Sequence, residues 1–162
     1  MMRAPDRIRG SRPALTLRQK ALRALARREY SRSELARKLG GGGESTTDIE
    51  TLLLEFEASG WLSDERFAGG AARQRQGRFS QRYILEDLKS KGVAGNTAQD
   101  AVSALEQDDY ATALALWRQR FGTAPADQKE KARQVRFLQS RGFALQIVFR
   151  VLREHGMQPD DK

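Results

Sequence analysis

Leu88-Lys89-Ser90-Lys91-Gly92-Val93 and Leu138-Gln139-Ser140-Arg141-Gly142-Phe143 share one pattern: an apolar residue closing an amphipathic run, a basic residue, a glycine and a large apolar residue. A weaker copy lies near the start, where Leu35-Ala36-Arg37-Lys38-Leu39 runs into Gly40 to Gly43. The period of about 50 residues marks one supersecondary unit used repeatedly. The runs downstream agree. Ile49, Leu52, Leu53 and Phe56 answer to Ala98, Ala101, Val102 and Leu105, and with a one-residue shift to Ile147, Val148, Val151 and Leu152. The chain therefore reads as all-α, an elongated tandem array of three three-helix, helix-turn-helix-like repeats.

Apolar periodicity places helices near 15–29, 32–39, 47–59, 63–77, 80–91, 96–107, 109–121, 127–141 and 144–155, and no segment alternates as a strand does. These group into repeats at 15–62, 63–108 and 109–156, with a disordered basic arm at 1–14 and a disordered tail at 157–162. Four stretches match a capping box, in which the first side chain bonds an orphan amide and the fourth reaches back: Ser31 to Glu34, Thr47 to Glu50, Asn96 to Gln99 and Asp127 to Glu130. Gly60, Gly92, Gly122 and Gly142 fall just past helix ends, where a left-handed residue closes the last turn. Gly40 to Gly43 reads as a flexible loop, since the Gly-Lys-Ser/Thr of a phosphate cradle does not follow it. Gly69-Gly70 lies inside the fourth helix, so either a neighbour approaches closely there or the helix is locally weak.

Hydrophobic residues make up 39% of the chain and charged residues 31%, a balance that suits three small cores better than one large one. Without cysteine there is neither a disulfide framework nor a thiolate metal site, which is compatible with a reducing cytosol. No apolar run approaches the roughly 20 residues of a membrane span, and the basic N-terminal stretch lacks the apolar core of a signal peptide. The net charge of +8 points to a polyanionic partner or a partner carrying one. Basic blocks at 1–45, 66–91 and 128–156 alternate with acidic stretches at 46–65 and 92–127, so stacked modules would align positive charge as a stripe.

The parts of an enzyme are missing. The one histidine, His155, sits at a helix end, where a cation beside terminal carbonyls is ordinary. Asp64-Glu65 and Asp108-Asp109 fall at helix starts, where the dipole favours them. No catalytic, cofactor-binding or metal-ligating residue is assigned. Most aromatics keep core periodicity; Phe79 and Tyr83 stand apart, lying among Arg75, Arg78 and Arg82 where bases could stack.

Gly60-Trp61-Leu62-Ser63-Asp64-Glu65-Arg66-Phe67-Ala68 sits at the first junction, between Ser33-Glu34-Leu35-Ala36-Arg37-Lys38-Leu39 and the stretch from Arg75 to Lys91-Gly92-Val93. With Lys129-Glu130-Lys131 leading to Phe137-Leu138-Gln139-Ser140-Arg141-Gly142-Phe143, it closely resembles the RecX family of bacterial regulatory proteins over about residues 16–155. The chain departs from the family pattern at Arg78-Phe79-Ser80, where relatives often carry glycine, at Gly69-Gly70, and at Ala144-Leu145, which lacks a polar cap. The resemblance implies a cytoplasmic, non-enzymatic protein without cofactor that binds the RecA recombinase, lies in the groove of its filament on single-stranded DNA and inhibits it, in DNA repair and the SOS response.

Charge assigns the contacts. The middle repeat is expected to lead through Arg73, Arg75, Arg78, Arg82, Lys89 and Lys91, with Arg133, Arg136 and Arg141 as a second patch and Arg37 with Lys38 as a third. Weak non-specific DNA binding and a monomer are expected, although the glycine-rich loop leaves domain swapping open. Two other readings stand beside this one: a helix-turn-helix-like transcription regulator, and a scaffold for acidic proteins. Against the first, the reading helices carry no cluster of Asn, Gln and Arg at an N-terminus.

Overall fold

The computed structural model describes residues 12–156, which form helices and no strand: α1 (Leu17–Arg27), α2 (Arg32–Gly40), α3 (Thr46–Ala58), α4 (Asp64–Arg75), α5 (Gln81–Ser90), α6 (Gly95–Ser103), α7 (Asp109–Arg120), α8 (Gln128–Ser140) and α9 (Leu145–His155). The helices pack broadly only within the triplets α1–α3, α4–α6 and α7–α9. Each triplet closes its own core. Leu35, Leu39, Leu53 and Phe56 centre the first, Ala72, Ile84, Leu88 and Ala98 the second, and Trp117, Leu138, Val148 and Val151 the third. The fold is thus an all-α tandem repeat. Of the expected disordered segments, 1–11 and 157–162 lie outside the described residues, and 12–14 are exposed and without regular structure.

Local chemistry explains most helix starts. Ser31 accepts from the Glu34 amide while Glu34 accepts from the Ser31 amide, the reciprocal pair expected there. Thr16 and Gln19 form a second such pair that periodicity did not flag. Two of the expected boxes are corrected and a third forms only in part. Helix α3 begins one residue earlier than expected and is capped by Ser45, which accepts from Asp48, so Thr47 lies inside the first turn. Helix α6 starts directly after the buried Val93, with Ala94 as an uncapped start; Asn96 is already helical and Gln99 donates to Ser103 instead. Asp127 caps α8 as expected, but Glu130 turns toward Arg133 at 3.5 Å rather than back.

Aligned on the buried Leu39, Leu88 and Leu138, the three second helices end four residues later in Gly43, Gly92 and Gly142, with φ of 79°, 82° and 90°. In this left-handed region a side chain would strain the backbone, which explains the repeated glycine. At two of the three, a second demand is added. A Cβ on Gly92 would lie 2.2 Å from Ser33 Oγ, and one on Gly142 would lie 2.5 Å from Ser80 Oγ and 2.6 Å from Tyr83 Cβ, whereas Gly43 has open space.

Those contacts belong to the joints between modules, and the two joints are built alike. The N-cap hydroxyl of one module's second helix donates to the glycine turn of the next: Ser31 to the Lys91 carbonyl at 2.7 Å, and Ser80 to the Gly142 carbonyl at 2.8 Å. The amide one residue on donates to the first residue of the next module's first helix: Arg32 to Asp64 at 2.7 Å, and Gln81 to Asp109 at 3.1 Å. Asp64 and Asp109 therefore cap a neighbouring module's helix, while Ser63 and Asp108 cap their own. Reading these carboxylates as serving only their own helix dipole is corrected in that respect.

Helix α4 runs unbroken through Gly69-Gly70. The nearest group to either glycine is the Arg73 guanidinium, whose Nη1 would lie 3.2 Å from a Cβ on Gly69, so no neighbouring helix demands the small residues. Where the first two cores hold Leu35 and Ile84, the third buries Gln134. This amide accepts from Trp117 Nε1 at 2.8 Å and donates to the Thr123 carbonyl at 3.2 Å, satisfying both ends.

Candidate functional site

The basic residues singled out by charge fall into three situations. Arg75 and Lys91 converge on Asp87, at 2.9 and 3.1 Å, with their side chains only 22% and 28% exposed. These three tie the end of α4 to the end of α5, and the shared carboxylate offsets part of their charge. Lys89 faces Glu86 at 3.8 Å and Arg133 faces Glu130 on exposed helix surface, where such pairs hold little. Arg37, Lys38, Arg73, Arg78, Arg82 and Arg136 are exposed and make no ion pair among the described residues. At the register of Arg37 and Arg136 the middle module carries Glu86, so equivalent helices do not carry the charge at equivalent positions throughout.

Arg141 is in a different setting. Its guanidinium lies 5.2 Å from the Phe79 ring centre and 5.3 Å from that of Phe137, crossing the joint between the second and third modules. Phe79 in turn stacks on Tyr83 at 4.2 Å and 10°. Charge patterning placed Arg141 on the third module alone. The signal for its bridging role was the aromatic pair in the preceding module, met at Phe79 and Tyr83.

Ion pairs elsewhere build the frame. Arg32, whose amide serves the first joint, pairs through its side chain with Glu50 and Glu57 of α3. The hydrogen bond from Arg32 holds the Glu50 carboxyl below its ordinary range. At the far end Tyr110 donates to Glu154, lies 3.0 Å from His155 Nε2, and carries the Arg150 guanidinium 4.0 Å above its ring. That bond and Arg150 hold the Glu154 carboxyl low, and the Tyr110 phenol is raised by the same bond. The cluster ties α9 to α7, which is the role His155 takes.

Among the described residues no group of three or more His, Asp or Glu could hold a metal ion, and no helix is long and apolar enough to cross a membrane. Residues that sequence reasoning missed are the joint set, Ser31, Ser80, Asp64 and Asp109. Their spacing carried the signal, since both pairs recur at nearly the repeat period.

Fold and surface together define a tandem three-helix-repeat protein; of the cations singled out by charge, those without an ion pair among the described residues lie on the second helices (Arg37, Lys38, Arg82, Arg136), on the turn before α5 (Arg78) and on α4 (Arg73). Residues 18–54 match the first three-helix domain of RecX and residues 106–152 match the third. The regulatory protein RecX of Leptothrix cholodnii is 44% identical over 143 residues, covering 88% of this chain and 91% of that protein. That of Chromobacterium violaceum is 41% identical, covering 85% and 89%. The crystal structure of RecX from Lactobacillus salivarius superposes with a TM-score of 0.68 at 19% identity, over 85% of this chain and 93% of that one, and so shares the fold. The chain belongs to the RecX family of regulatory proteins.

Proposed function

We propose that this protein binds the filament of the RecA recombinase on single-stranded DNA and inhibits its recombinase and related activities, and so modulates DNA repair and the SOS response. It acts in the cytoplasm as a monomer, without catalysis or cofactor, through the modules at 15–62, 63–108 and 109–156. Family membership over most of the chain is the observation that carries this reading. The charge supports it: Arg78 and Arg82 in the middle module are exposed and unpaired among the described residues, next to a joint that fixes their backbone. Repeated weak contacts on one body add through effective concentration.

The test is inhibition of RecA ATPase and strand exchange on single-stranded DNA, titrated at two salt concentrations. The parent should inhibit both, and the double variant Arg78→Glu/Arg82→Glu should weaken inhibition at least about tenfold and flatten its salt dependence, since each lost phosphate contact removes roughly 0.7 from the slope. Unchanged inhibition by the variant would assign the contact to other faces, and no inhibition by the parent would end the reading. Sequence-specific binding to naked duplex in the same titration would favour a helix-turn-helix regulator instead.

A further inference from the structure

The middle module presents an aromatic end that its neighbours lack. Phe79 and Tyr83 stack face to face, and Arg141 lies 5.2 Å from the Phe79 ring centre and 5.3 Å from that of Phe137, so a chain of planar groups runs across the joint and ends at Tyr83. Tyr83 is 36% exposed, and its hydroxyl makes no hydrogen bond among the described residues, unlike that of Tyr110. The first module closes the corresponding end. There Arg28 covers the Tyr30 ring at 3.6 Å and is held by Glu34, which occupies the register position of Tyr83. The third module has Arg133 at that position.

The open ring is held rigidly. Ser80 accepts from the Tyr83 amide at 3.0 Å, donates to the Gly142 carbonyl, and its own amide donates to the Arg141 carbonyl at 2.9 Å. Arg78 immediately precedes Phe79 and Arg82 immediately precedes Tyr83, both exposed and without an ion pair among the described residues. A rigidly held, part-exposed aromatic ring with two exposed arginines next to the pair in the chain suits a ligand that carries a planar group, unstacked on one side, beside negative charge. A nucleotide of a single strand, a neutral planar base between two backbone phosphates, has that chemistry, whereas a base inside a duplex has both faces covered.

We propose that Tyr83, backed by Phe79, is the stacking platform for one nucleobase of a single strand, and that Arg78 and Arg82 take the phosphates on either side of it. This rests on the reading above that the protein works on a single-stranded DNA filament, and it deepens that reading by naming a residue that touches DNA rather than protein.

The probe is a short oligothymidylate carrying one 2-aminopurine, titrated with the full chain at low salt, with duplex of the same length beside it. The parent should quench the fluorescence on binding. Tyr83→Phe should keep both quench and affinity. Tyr83→Leu, which retains an apolar contact for Phe79, should lose the quench and bind on the order of tenfold more weakly, at an unchanged melting temperature. Arg78→Gln/Arg82→Gln should weaken binding yet quench at saturation, and Phe149→Leu, which changes an exposed aromatic elsewhere, should do neither. Full quench and affinity in Tyr83→Leu, preference for duplex, or no quench by the parent would each overturn the platform. RecA inhibition measured separately tells the two readings apart. A parent that inhibits while Tyr83 proves irrelevant keeps the filament reading alone, and a Tyr83-dependent quench without inhibition keeps the platform alone.

Discussion

Replacing Gly142 with alanine separates the two demands that the repeated glycine meets. All three turns place this residue in the left-handed region, so alanine at Gly43 or Gly142 bears the same backbone strain, about 1–2 kcal/mol. At Gly43 nothing lies within 4 Å of the new methyl, and the effect should stop there. At Gly142 the methyl would meet Ser80 Oγ at 2.5 Å and Tyr83 Cβ at 2.6 Å, closer than carbon contacts allow, and neither atom is the free end of a long side chain. The joint must open. That loses the bonds from Ser80 Oγ to the Gly142 carbonyl and from the Ser80 amide to the Arg141 carbonyl, each contributing about 0.5–1.5 kcal/mol. The sum for Gly142→Ala is roughly 2–5 kcal/mol, against 1–2 for Gly43→Ala. Because repeats contact mainly their neighbours, the loss should appear as undocking more than as global unfolding. Hydrogen exchange at Ser80 should accelerate and small-angle scattering should show a larger radius of gyration, while the Leu138 core stays protected. Equal exchange and equal scattering for the two alanine variants would refute this account of the joint.

Leu88 and Leu138 are both fully buried at equivalent places, so alanine at either should lower stability by roughly 2–5 kcal/mol in urea titration, with the other modules less affected; a parental transition would break the repeat alignment. Asp109→Ala should leave the Gln81 amide without its acceptor and speed its hydrogen exchange, at about 1–2 kcal/mol as for a lost helix cap, and an unaltered rate would remove Asp109 from the joint. The Glu154 carboxyl is held low first by the Tyr110 hydrogen bond and then by Arg150. A depressed carboxyl contributes stability above its unfolded pKa and loses it as pH falls through the folded value, so Tyr110→Phe should move the Glu154 titration upward and bring the acid loss of α9 docking to higher pH. Coincident NMR titration curves for parent and variant would contradict it.

The fold was legible because its period is written in apolar residues. Leu39, Leu88 and Leu138 and the glycines four residues later recur whatever surrounds them, because burial constrains the leucines and a positive φ the glycines. Caps were less legible. Thr47 and Asn96 match the motif as well as Ser31 does, but the turn residue that fixes where a helix begins is tertiary: the buried Val93 starts α6 before Asn96 can serve. The cations were visible as a population and not as individuals. Nothing local separates Arg75, held by Asp87, from Arg78, which has no ion pair among the described residues, because the pairing partner arrives from the next helix. Gln134 was hidden for the same reason, since its burial depends on the Trp117 indole and a loop carbonyl that packing brings to it.

Joint chemistry also explains how the two outer modules differ from the middle one. A joint needs a serine hydroxyl and a free first-turn amide on one side, and a carboxylate and a glycine turn on the other. In α8 the helix begins three residues earlier than its equivalents, so the position of Ser31 and Ser80 is Glu130, and the Lys131 amide bonds the Asp127 carbonyl inside the helix. The donors are consumed. In α1 the position of Asp64 and Asp109 is Leu17, so the carboxylate is missing. The middle module alone therefore has both halves, which fixes it on two sides while each outer module is fixed on one. Its turn at Arg78 to Ser80 and the start of α5 at Arg82 and Tyr83 are consequently held by joint bonds at Ser80 and Gln81. Rigid presentation lowers the entropy lost on binding. The proposed contact through the middle module therefore rests on how that surface is held as well as on its count of cations.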